Sequence, residues 1–182
     1  MAKVSVLVLP YASVTGNSLA KVLIDNLNDE RWTDFTAAVA FLNSSGNSKE
    51  MVEAILAFLN RDGSVELTFG ADSFGDAMGS DFHALSDLVK ATETMPKARI
   101  YLYSETESGT GTGRIFHPKV YLFYNETSAV LIIGSSNWSY GGLVDNVEAN
   151  VVIQLDRRKS EDKNVFDTML DCFVKYWRQP RE

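Results

Sequence analysis

The residues best suited to chemistry gather between positions 114 and 150. His117 and Lys119 stand two apart in Phe116-His117-Pro118-Lys119, so on a strand their side chains point to one side. A histidine beside an ammonium suits an anionic phosphoryl group. The imidazole can serve as nucleophile or acid, and the lysine is a point charge for oxygens. Gly134-Ser135-Ser136-Asn137 closes an apolar run with hydroxyl and amide donors, behind a glycine that permits close backbone approach. Glu148 opens the next apolar run. A carboxylate there can accept an imidazole N–H, fix the tautomer and stabilise the imidazolium.

These side chains need a framework, and apolar periodicity supplies one. Strands are expected at 4–9, 35–42, 64–69, 98–104, 116–124, 128–134 and 147–154. Helices are expected at 17–28, capped by Asn17 or Ser18, at 48–60, at 81–93 with Phe82, Leu85, Leu88 and Val89 apolar, and at 161–178 with Phe166, Met169, Leu170, Phe173 and Trp177 apolar. Loops fall at 71–80 and 105–113, and a tight turn at 125–127 joins two strands. This alternation predicts one α/β domain over 1–182, a mixed sheet with helices on both faces. The short gap between the strands near 120 and 131 makes part of that sheet antiparallel.

With His117-x-Lys119 and Gly134-Ser135-x-Asn137 in place, the chain resembles the phospholipase D superfamily, in particular its single-motif nuclease branch. Asn137 follows His117 by 20 residues and Glu148 follows Asn137 by 11, spacings similar to those of metal-independent restriction endonucleases in that superfamily. Gly142-Leu143, Asn146-Val147-Glu148 and the strand 35–42 with its Asn-Ser-Ser-Gly end fit the same pattern. One position departs from it: Tyr124 stands where the motif has aspartate.

The resemblance implies that His117 attacks a phosphodiester to form a phosphohistidine while a second histidine protonates the leaving oxygen. It implies that Lys119, Ser135 and Asn137 bind the phosphate oxygens, that Glu148 orients His117, and that no metal or cofactor is needed. The other histidine, His83, has no such motif around it and reads as a helix-surface or capping residue. The expectation is therefore a homodimer in which two copies of His117 share one site.

Other residues carry two readings. Trp138 and Tyr140 can stack on bases or pack in the core. Arg114 can touch phosphate or be loop surface. Phe173 and Trp177 can be core or dimer interface, Cys172 reads as packing, and Asp72 and Asp76 read as turn residues rather than metal ligands.

Composition bounds the rest. One cysteine in 182 residues excludes a disulfide framework and a cysteine-rich zinc site, and two histidines leave little for a histidine-based metal cluster. The apolar run at 4–9 is too short to span a membrane and lacks a signal-peptide cleavage site, so a cytoplasmic setting without membrane attachment is expected. The net charge of −7 speaks against an anionic partner. Yet residues 1–96 hold six basic against thirteen acidic residues, while 97–182 hold eleven of each, so the motif lies in the neutral half.

The expected function is a phosphodiesterase cutting nucleic acid, DNA before RNA, as in a restriction or defence system, with any sequence reading left to a separate domain or subunit. A phospholipase or phosphatidyl transferase of the same chemistry is the alternative, and an idle dimeric binding module a third.

Overall fold

The computed structural model describes residues 2–11, 16–70, 81–103 and 116–177. The loops expected at 71–80 and 105–113, with Asp72, Asp76 and Arg114, lie outside the described residues.

Among the described residues, runs of β-branched and aromatic residues form seven strands: β1 (Lys3–Leu9), β2 (Asp34–Val39), β3 (Ser64–Gly70), β4 (Ala98–Tyr103), β5 (Lys119–Tyr124), β6 (Ser128–Gly134) and β7 (Glu148–Asp156). They make one sheet in the order β1-β7-β6-β5-β2-β3-β4. β2, β3 and β4 are mutually parallel, and every other pairing is antiparallel. β5 and β6 are joined by a hairpin whose Asn125 Oδ1 accepts from the N–H groups of Thr127 and Ser128.

Among the described residues four α-helices flank the sheet: α1 (Leu19–Asn28), α2 (Lys49–Asn60), α3 (Phe82–Thr92) and α4 (Ser160–Asp171). Ser18, Ser48 and Asp81 cap the first three through side-chain oxygens that accept from Lys21, Met51 and His83 N–H. On one face, Leu19, Leu23 and Leu27 of α1 and Met51, Ile55 and Phe58 of α2 pack on Phe35, Tyr121 and Phe123. Each such leucine contributes about 1.5–3 kcal/mol by its burial. On the other face, Phe166 of α4 and Phe173 beyond it pack on Leu122, Leu131 and Leu155. Helices therefore lie on both faces, as expected, and Phe173 belongs to the core.

Four local expectations are corrected. β2 stops at Val39 because Phe41 and Leu42 leave the ladder: Phe41 O accepts from Trp138 N–H, and Leu42 forms an isolated bridge with Trp138. β5 begins only at Lys119, since Pro118 has no N–H to give a ladder. Phe82 is exposed, and α3 instead buries Ala84, Leu85, Leu88 and Thr92. The last helix passes into a π-helical turn at Cys172–Trp177. A second π-helical turn, Gly141–Asp145, follows the Gly134–Asn137 segment.

Candidate active site

His117 sits on a short link rather than on a strand. Phe116 before it is buried and stacks on Tyr103 with ring centroids 4.4 Å apart. Pro118 after it accepts from Ala40 N–H through its carbonyl. Held at both sides, the exposed imidazole meets Lys119, whose Nζ lies 2.9 Å from Nδ1 and 3.0 Å from Nε2. Whichever ring nitrogen lacks a proton can accept from the ammonium. Lys119 also donates to the His117 carbonyl at 3.3 Å and is itself 6% exposed.

Phe41 forms a wall to the pair. Its ring meets His117 edge-on at 5.7 Å and lies 5.8 Å from the Lys119 ammonium. Partial burial, and then the Lys119 charge, hold the His117 pKa below the usual imidazole value, which favours the neutral ring. Burial also pushes the Lys119 pKa down, and the Glu148 carboxylate opposes that shift.

Glu148 begins β7 beside the end of β6. Ser135 Oγ donates to its carboxylate in a short hydrogen bond, and Asn146 Nδ2 donates at 3.4 Å. Ser135 is fixed twice more: its N–H donates to Ala149 O, and its Oγ accepts from Ala149 N–H, both at 3.1 Å. Glu148 thus reaches Ser135 by hydrogen bond and Lys119 by charge, while the group nearest His117 is Lys119. Beneath this layer, the buried Tyr121 hydroxyl donates to Ser136 O, and Asn150 Nδ2 donates to Ser136 Oγ, each at 2.9 Å.

Asn137 is held by its backbone. Gly142 packs against it so closely that a Cβ there would come within 2.7 Å of Asn137 N. Its side-chain Oδ1 is buried without a hydrogen-bond partner, an acceptor left for an incoming donor. The rest of this segment is anchored through Trp138, which is fully buried and donates from Nε1 to Asn47 Oδ1 at 3.0 Å. That settles Trp138 as packing, whereas Tyr140 is exposed.

His83 lies exposed in the first turn of α3, whose capping residue Asp81 donates its N–H to Leu42 O. Tyr124 sits at the far end of β5, where its ring packs edge-on against Phe166 and beneath the Arg157 guanidinium. Five residues separate it from Lys119, roughly 16 Å along a strand. Sequence reasoning missed Phe41, whose one signal is its place at the end of an apolar run, and the supports Tyr121 and Asn150. Among the described residues no group of three histidine, cysteine or acidic side chains is placed to hold a metal, and no helix is long and apolar enough to cross a membrane.

This arrangement offers a neutral imidazole, a fixed cation and several hydrogen-bond donors at one end of the sheet. Residues 23–170 match the family model described as cardiolipin synthase, PLD-like domain. Comparison with curated proteins finds no match. Among solved structures, NucT from Helicobacter pylori is 18% identical over 94% of this chain and 97% of its own, with a TM-score of 0.64. Nuc from Salmonella typhimurium, a phospholipase D family member, is 17% identical over the whole of both chains, with a TM-score of 0.60. Phosphatidylserine synthase from Haemophilus influenzae is 16% identical over 96% of this chain and 39% of its own, with a TM-score of 0.66. At these identities the likeness to solved structures is one of fold.

Proposed function

The chain belongs to the PLD-like domain family, and from that premise we propose that it is a metal-independent phosphodiesterase acting on nucleic acid as a homodimer. The observation that carries the reading is the contact of Lys119 Nζ with both nitrogens of a neutral His117. It pairs a nucleophile with the cation its target requires.

In the reaction, a ring nitrogen of His117 attacks phosphorus. A P–N bond forms, and the P–O bond to the leaving oxygen breaks as a second histidine, protonated, gives that oxygen its proton. Water then attacks the phosphohistidine, losing a proton to the second histidine and restoring His117. Lys119 and the Asn137 amide hold the non-bridging oxygens, whose charge grows in the transition state, and Ser135 joins them when its O–H turns from Glu148. Glu148 keeps the Ser135 hydroxyl in place and Lys119 charged, and it orients His117 once the site is complete. The proton donor in this reading is His117 of a second copy, because His83 has no motif of this kind around it.

Two features favour nucleic acid over lipid. The motif occurs once in this sequence, and the chain matches Nuc along its whole length. The test incubates the protein in EDTA with supercoiled plasmid, single-stranded DNA, RNA and phospholipid vesicles. Cleavage of a nucleic acid that persists in EDTA and is lost in His117→Ala is expected. Turnover of lipid alone would replace this reading with the lipid enzyme, and no turnover of any substrate would leave a binding module.

A further inference from the structure

Successive side chains on a strand alternate between faces, so Glu148 and Asn150 of β7 point to one side and Ala149 to the other. Leu9 and Leu7 of β1 stand opposite Glu148 and Asn150 in the ladder. The start of β7 thereby grips two consecutive serines. Ser135 Oγ donates to the Glu148 carboxylate and accepts from Ala149 N–H, and Ser135 N–H donates to Ala149 O. Ser136, one residue on, is fully buried, and Asn150 Nδ2 donates to its Oγ at 2.9 Å. From β5, the Tyr121 hydroxyl donates to Ser136 O at 2.9 Å. Burial pushes the pKa of that hydroxyl up, so it stays a donor.

Asparagine is an unexpected residue for position 150. It is 1% exposed, on a face otherwise apolar at Leu7, Leu9 and Ile132. Its Oδ1 is buried with no hydrogen-bond partner, a cost in stability that an apolar side chain of that size avoids. The amide also lies against Gly134, its partner across the ladder: a Cβ on residue 134 would come within 2.2 Å of Asn150 Oδ1. Glycine at 134 and asparagine at 150 therefore fit as a pair, the amide standing where a side chain at 134 would need to go. We propose that Asn150 is a positioning residue: by holding Ser136 it fixes the backbone from Ser135 to Asn137, and with it the groups that those two residues turn to a phosphate. The step served rests on the phosphodiesterase reading; the hold on Ser136 does not. Asn137 depends on its chain neighbours for its place, because its own Oδ1 has no partner. Trp138 is tied down on one side of it through Asn47, and Ser136 on the other through Asn150 and Tyr121. A catalytic group displaced by about 1 Å can lose on the order of 10²-fold in rate, so a buried amide that prevents such a shift offsets its cost in stability.

The test combines plasmid cleavage kinetics with amide hydrogen exchange by NMR, on Asn150→Leu, Ser136→Ala and the double variant. Each single variant is expected to lower kcat by about 10–100-fold while KM stays within about threefold, because the groups that bind remain but stand out of place. The double variant is expected to be no slower than the slower single one, since both substitutions break the same contact. The Ser135 and Trp138 amides, bonded to Ala149 O and Phe41 O, are expected to exchange at least about 10-fold faster in each variant, with Val130 and Leu131 of β6 unchanged. If Asn150→Leu does not fold, Ser136→Ala, which removes one hydroxyl, carries both readouts. A kcat within about twofold of wild type, losses that multiply in the double variant, or exchange that is unchanged at Ser135 and Trp138 or rises equally through β6 overturns the inference. A wild type that cuts no substrate, with Ser135 and Trp138 exchanging faster in the variants, upholds the hold on Ser136 and overturns the phosphodiesterase reading.

Discussion

At the scale of single residues, the site turns on who holds a proton and who holds a charge. On the phosphodiesterase reading His117→Ala removes the nucleophile, and cleavage should fall by at least about 10³-fold with unchanged thermal stability. Because burial and Lys119 hold the His117 pKa below the usual imidazole value, the neutral form survives to lower pH than in a free imidazole. Lys119→Met removes one of those two causes, so the pKa should rise. NMR titration of the two histidine ring signals, assigned with His83→Gln, would show it, and a downward or absent shift would refute the charge effect. Glu148→Gln acts in the opposite sense on Lys119. The carboxylate holds the lysine pKa up, so its loss lowers that pKa and moves the alkaline limb of the rate profile to lower pH. A limb that stays in place would show that Glu148 acts through Ser135 alone.

At the scale of elements, the site depends on where strands stop. Pro118 delays the start of β5, and the Phe41–Trp138 hydrogen bond ends β2 early, so the two motif segments meet in loops braced by strands. The bracing is tight at Gly142. Gly142→Ala would press a methyl into the Asn137 backbone, costing about 1–3 kcal/mol by denaturant unfolding and lowering kcat, with the loss in kcat exceeding any rise in KM. Tyr124→Phe, at the other end of β5, should retain activity within roughly twofold, since it keeps the ring that packs on Phe166.

Much at this scale was legible in the sequence. The leucines of α1 and the four-residue spacing of Met51 and Ile55 in α2 declared their buried faces, because an amphipathic stripe has one way to face a core. The motif residues His117, Lys119, Ser135, Asn137 and Glu148 were named from type and spacing, and the fold brings Lys119 to both His117 and Glu148. What was hidden depended on partners distant in the chain. Phe82 fits the helical stripe yet faces solvent, because α3 buries Ala84 and Leu88 instead. Phe41 looks like one more core residue until β2 is seen to end before it.

At the scale of the molecule, charge sets the terms of any encounter. The whole acidic excess lies in residues 1–96, away from the motif, and the described site holds one lysine. One site shared by two copies would bring two Lys119 and displace few counterions. The logarithm of DNA affinity should therefore fall against the logarithm of salt with a slope near −2, at about −0.9 per neutralised phosphate, and a slope of −6 or steeper would mean that basic residues elsewhere join the contact.

The contact between Lys119 and His117 also governs the protein at rest. The ammonium lies about 3 Å from both ring nitrogens, so the unprotonated one has a cation beside it whichever tautomer is present. On the phosphodiesterase reading, an arriving phosphate offers the lysine stronger acceptors, and as the lysine turns to them it clears that nitrogen. On the same reading the substrate unmasks its own attacker, and a site without one stays quiet toward stray electrophiles.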